Sequence, residues 1–134
     1  MKSIEKILPK AIDAVSKFVL TEKTNEVPKE FNGYISSFGA SLISGGLLPT
    51  IVFFSQEAKS KGNRTSVIAA LEFIIHSYHP ELLYQDNNLI KTVKDMIEKG
   101  VAQNRLIDKL QDAAIALKLA IRIFPKSKKE SNHE

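Results

Sequence analysis

Apolar residues recur along the chain at spacings of three and four, the period that lines one side of a helix. In the first stretch Ile4, Ile7, Leu8, Ala11, Ile12, Val15, Phe18 and Val19 form such a stripe, which predicts a helix starting near Ser3. Pro9 falls inside it and removes one backbone donor, so the expectation is an early start with a kink. The polar run Thr21 to Val27 reads as a loop. Pro28 then suits the opening of a second helix, which carries Phe31, Tyr34, Ile35, Phe38 and Leu42 and stops before Gly45-Gly46. A third helix is predicted from Leu47 to Lys61, ended by Gly62, whose backbone accepts left-handed geometry.

Asn63 or Thr65 can cap a fourth helix carrying Val67, Ile68, Leu71, Ile74, Ile75 and Tyr78, closed by Pro80. Asn87 or Asn88 can cap a fifth, with Leu89, Ile90, Val93, Met96 and Ile97 on one side and Gly100 at its end. A sixth is predicted from Val101 to Phe124, before Pro125. No stretch alternates apolar and polar like a half-buried strand. The expected fold is therefore an all-α, compact single-domain bundle of about six helices with short connections. It would span residues 1–124, with 125–134 a basic tail too polar to fold.

Some apolar positions exceed what a minimal core needs. On the sixth helix Leu106, Leu110, Ala113, Leu117, Ile121 and Phe124 cover one face, while Ile115, Leu119 and Ile123 form a second row at about 100° per residue. Phe53 and Phe73 fall off the main stripes of their helices. Such a surplus fits either a central helix buried on all sides or a surface that packs against another subunit. Lys118 and Arg122 lie between the two rows, where they either reach out to solvent or sit at a junction of protein and nucleic acid.

Composition narrows the chemistry. The 134 residues include no cysteine and no tryptophan, which excludes disulfides, thiolate zinc sites, iron–sulfur clusters and thiol catalysis. The charged start Met1-Lys2-Ser3-Ile4-Glu5-Lys6 lacks the apolar stretch of a signal peptide, and no apolar run is long enough to span a bilayer, so a cytoplasmic location is the expectation. The net charge of +4 concentrates in residues 87–124, where seven basic residues face four acidic ones. Lys59, Lys61 and Arg64 add a basic loop at the opening of the fourth helix, where free backbone amides also attract anions. The same loop reads more readily as an ordinary solvated turn, and it lacks the spacing of a nucleotide-binding loop.

Catalytic groupings are sparse. Glu72, His76 and His79 can share a side of the fourth helix, but their order differs from that of zinc-protease helices and no third ligand is evident. His133 lies in the tail. Asp108 and Asp112 occupy a polar face and read as solvated, so neither a cofactor nor an enzymatic role is expected.

Three stretches carry a family likeness: Tyr34-Ile35-Ser36-Ser37-Phe38, then Gly46-Leu47-Leu48-Pro49-Thr50-Ile51-Val52-Phe53-Phe54 after a glycine turn, and Ala116-Leu117-Lys118-Leu119-Ala120-Ile121-Arg122-Ile123-Phe124. In these the chain resembles the small subunit of the Cmr complex, the type III-B CRISPR RNA-guided effector of antiviral defence. A tryptophan that many such subunits carry before the last Lys/Arg segment is absent. The resemblance implies a non-catalytic, all-helical subunit whose partners are copies of itself, other subunits and the backbones of guide and target RNA, with no membrane. Lys59, Lys61, Arg64, Lys118 and Arg122 are then the RNA-contact candidates, and Phe53, Phe73, Ile115 and Leu119 the subunit-contact candidates. The alternatives are the equivalent type III-A subunit, a helix-turn-helix DNA-binding regulator using the fourth helix, and a small metal-dependent hydrolase built on Glu72, His76 and His79.

Overall fold

A computed structural model describes residues 2–56 and 64–128. Among these described residues the architecture is an all-α bundle of six helices: α1 (Lys2–Phe18), α2 (Phe31–Gly45), α3 (Leu47–Phe54), α4 (Thr65–Tyr78), α5 (Leu89–Glu98) and α6 (Asn104–Ala120). Two 3-10 turns, Pro80–Leu83 and Ile121–Ile123, follow α4 and α6. Among the described residues there is no strand, and one isolated parallel bridge joins Val27 to Lys126.

The core follows from how the stripes meet. α1 packs chiefly against α6 and α4, and α2 lies against α6 and α3. Ala11 and Ala14 of α1, Ala70 of α4 and Ala113, Ala116 and Ala120 of α6 are almost wholly buried. With only a methyl group at each position, the space beside these faces is filled by the neighbouring helix itself. Larger side chains close the remaining volume, with Phe31 and Phe38 of α2 and Phe54 of α3 fully buried. Phe38 and Phe54 meet edge to face at 5.4 Å between ring centroids.

Local chemistry sets the helix ends. Asn88 caps α5, its side-chain oxygen accepting from Lys91 N–H at 2.8 Å. At the other end Gly100, at φ +70°, allows Gly100 N–H to reach Ile97 O and Val101 N–H to reach Met96 O. That pairing is a Schellman stop, and it engages Val101, so α6 starts at Asn104 rather than at Val101 as the pattern predicts. Gly46, at φ +92°, makes the corresponding break between α2 and α3. Pro9 sits on the exposed side of a continuous α1.

Three further boundaries differ from expectation. The helix predicted to reach Lys61 ends at Phe54, where the Ser55 hydroxyl and N–H both donate to Ile51 O, at 2.8 and 2.9 Å. Gly62 and Asn63 lie outside the described residues. The α-helical part of the last helix stops at Ala120, tightening into a 3-10 turn before Phe124 becomes extended ahead of Pro125. The start of the supposed tail is also engaged: Val27 N–H donates to Pro125 O at 2.8 Å and Ser127 N–H to Val27 O at 2.9 Å. Backbone pairing with a buried valine holds this segment despite its polar sequence.

α5 is tied to α4 by Glu72, whose carboxylate accepts from Leu89 N–H at 2.9 Å. Burial pushes its pKa above the usual carboxylate value, and the Leu89 hydrogen bond partly opposes that. Between the unfolded and the raised folded pKa the native state binds more protons, so stability falls as pH rises through this window. Glu72→Gln should therefore raise the thermal midpoint at pH 7, with the gain shrinking as pH falls toward 4.5. Glu72→Ala should lower it by leaving a buried N–H without its acceptor, at a cost of about 1–3 kcal/mol. Thermal melts across this pH range check both outcomes. Truncation after Phe124 removes both backbone bonds to Val27 and should cost ~2 kcal/mol relative to truncation after Lys128. That difference would appear as roughly 5–10 °C in paired thermal melts.

Candidate functional site

α2 and α6 run side by side and leave a solvent-open groove of about 420 Å³ between them. Ile35, Ser36, Gly39 and Ile43 line it from α2, and Gln111, Ala114, Ile115 and Lys118 from α6. The α6 lining recurs at three- and four-residue steps, which puts Gln111, Ile115 and Lys118 on one side of that helix. On α2 the buried stripe of Phe31, Ile35, Phe38 and Leu42 turns Ser36 and Ile43 outward. Gly39 leaves the groove open at its centre, since a Cβ there would meet no atom within 4 Å.

Two features set the groove's chemistry. Lys118 Nζ donates to Ser36 Oγ at 2.8 Å, so its ammonium is held over the α2–α6 seam by a neutral hydroxyl, with no carboxylate paired to it among the described residues. Ile43 and Ile115 stand 78% and 45% exposed at the same groove. α2 carries no charged residue over its whole length. A cation beside uncharged, partly apolar walls can contact an anionic backbone and an apolar side chain together. Arg122, four residues after Lys118, extends into solvent from the 3-10 turn beside the exposed Ile123.

A second locus forms where α3 meets the start of α4. The Arg64 guanidinium lies 4.2 Å from the centroid of the Phe53 ring, within cation–π range. Phe53 in turn meets Phe54 edge-on at 5.3 Å. Half of Phe53 remains exposed, and Arg64 Nε is buried without a hydrogen-bond partner among the described residues. Lys59 and Lys61, expected on the same loop, lie outside the described residues.

The remaining candidates sit elsewhere. Phe73 is not an open contact: Phe18 of α1 lies 5.8 Å from its ring, and the Lys10 and Lys17 ammoniums approach at 6.0 and 5.7 Å. Its place off the α4 stripe is explained by α1 folding over it. Leu119 is half-buried against the core, so the second apolar row of α6 is reduced to Ile115 and Ile123. The sequence pattern gave no weight to Ile43, Lys10 or Lys17, and it placed Phe18 in the α1 stripe, whereas the structure leaves it 39% exposed. Ile43 follows directly on the buried Leu42, and that one-residue step off the stripe is the signal that marks it.

Residues proposed for other chemistry are engaged structurally. Glu72 caps the start of α5. His79 Nδ1 faces Glu81 at 3.6 Å, and Arg105 pairs with the same carboxylate at 2.9 Å. The Glu81 carboxyl is held below its usual range first by its own backbone N–H and then by Arg105. His76 points to solvent, and no cluster of metal-binding side chains occurs among the described residues. Asp112 borders only a recess of about 30 Å³ beside Tyr78 and His79, room for one water, while Asp108 is exposed. α4, the helix a DNA reader would present, buries Val67, Ile68, Ala70, Leu71, Ile74 and Ile75 against its neighbours. Little of it is left to reach base edges. No described helix is long and apolar enough to cross a membrane. No protein-family model, curated protein or solved structure matches the chain.

Proposed function

We propose that this protein is a non-catalytic small subunit of an RNA-guided type III-B (Cmr) effector, packing beside neighbouring subunits and touching RNA through its backbone. The observation that carries this reading is the α2–α6 groove, where Lys118, bonded to Ser36 of an uncharged helix, shares the lining with the exposed Ile43 and Ile115. Ile43 and Ile115 supply the protein contact. Lys118 and Arg122 supply phosphate contacts, which are independent of base sequence and weaken with salt. Phe53 and Arg64 extend the pairing of an apolar side chain with a cation to a second edge, with Lys59 and Lys61 assigned to it from their place in the sequence. The sequence likeness in residues 34–38, 46–54 and 116–124 falls on the helices that build the groove and on α3.

Purification of the tagged chain from its native cells at moderate salt tests the assignment. Recovery in a large particle with other subunits and repeat-derived guide RNAs is the expected outcome. Guide RNAs of a type III-A particle would move it to the sister complex, and recovery alone or with genomic DNA would overturn it. Within the particle, Lys118→Glu with Arg122→Glu should lower retained RNA about tenfold or more at 0.2 M salt, given two lost phosphate contacts and two added repulsions. The helical circular dichroism should stay unchanged. Gly39→Met should fill the groove and reduce co-purifying protein subunits, since a side chain at that position meets open space and improves helix propensity.

A further inference from the structure

The proposed function leaves one charged surface unused. Along α1, Lys6, Lys10 and Lys17 fall within a narrow strip at about 100° per residue, and all three are exposed. No carboxylate pairs with any of them among the described residues. Two of them are also held in place. Lys10 Nζ and Lys17 Nζ both lie within cation–π range of Phe73 of α4, at 6.0 and 5.7 Å from the ring centroid. Both side chains lean on one ring, which keeps two positive charges on the same patch of surface. Phe18, packed on Phe73 and 39% exposed, is a partly open aromatic ring next in sequence to Lys17.

We infer that the α1–α4 face, built on Lys6, Lys10, Lys17, Phe18 and Phe73, is a second contact for a single-stranded nucleic acid. From Lys6 to Lys17 the strip runs roughly 16 Å along the helix axis, at 1.5 Å per residue. That length suits an extended polyanion better than a compact phosphate. Phe18 adds a surface on which a base can stack, which is the combination that sequence-tolerant strand binders use. Asp13 lies in the same strip between Lys10 and Lys17 and is exposed, so it weakens the field and offers a built-in control. The face belongs to α1 and α4 rather than to the α2–α6 groove, and the inference rests on the proposed function only in taking RNA as the strand.

The test is fluorescence anisotropy of the full-length protein with a labelled 20-nucleotide oligouridylate, titrated from 25 to 200 mM salt. Lys10→Gln with Lys17→Gln should weaken binding about tenfold at the lowest salt. It should also reduce the slope of log affinity against log salt by ~1.4, two phosphate contacts at ~0.7 each for a single strand. Asp13→Lys should tighten binding several-fold, a gain that damage to the fold cannot imitate. Lys118→Glu with Arg122→Glu, measured alongside, separates the two surfaces. Loss in that variant with no effect of the α1 changes would overturn this inference and leave the proposed function standing. Loss in the α1 variants alone would support it and count against the groove as an RNA contact. No binding by the unaltered protein at 25 mM salt, or equal binding of polyglutamate or anionic vesicles, would overturn it.

Discussion

The bundle depends on how closely α1, α4 and α6 approach one another. Alanines on all three helices place backbone against backbone, and the larger apolar residues can fill the remaining volume only once that spacing is set. Much of the surface follows from this one constraint. Because α1 lies tight on α4, it covers Phe73 and draws two lysines onto that ring. Because α6 turns its small residues inward toward the bundle, Ile115 and Lys118 are left on the side facing α2. A larger side chain at Ala14 or Ala116 would push helices apart and alter both surfaces at once.

Helix number, order and most termini were legible in the sequence because each rests on local chemistry. Asn88 caps whatever helix follows it, His79 cannot be helical ahead of Pro80, and Gly100 takes a backbone geometry other residues resist. The misplaced ends were those where one local signal competed with another. α3 closes at Ser55, whose hydroxyl and N–H both go to the Ile51 carbonyl, and the Schellman stop after α5 takes up Val101 before α6 can use it. The pairing of Pro125 and Ser127 with Val27 was invisible because a polar sequence says nothing about a backbone partner roughly a hundred residues away.

The candidate site was legible in part, for a similar reason. Periodicity on one helix shows which residues leave the stripe, but not whether another helix covers them. Ile115 and Phe53 leave it and stay exposed, whereas Phe73 leaves it and is covered by α1. Lys118 was singled out by its apolar neighbours, yet its tie to Ser36 spans 82 residues of sequence and needed the fold. Glu72 read as a possible ligand beside two histidines. Its acceptor role toward Leu89 depends on how the chain returns after the Pro80–Leu83 turn.

The pairing of α1 with α6 also fixes when the protein can fold during its own synthesis. α1 is complete by Phe18, but its principal partner ends at Ala120. At ribosomal rates of about 5–20 residues per second, that separation is roughly 5–20 s. Throughout that interval the apolar side of α1 has only α4 to shelter it, and before α4 emerges it has nothing. The nascent chain therefore carries a strongly amphipathic helix unsatisfied until α6 is made, and a chaperone that recognises such helices has its longest opportunity at α1.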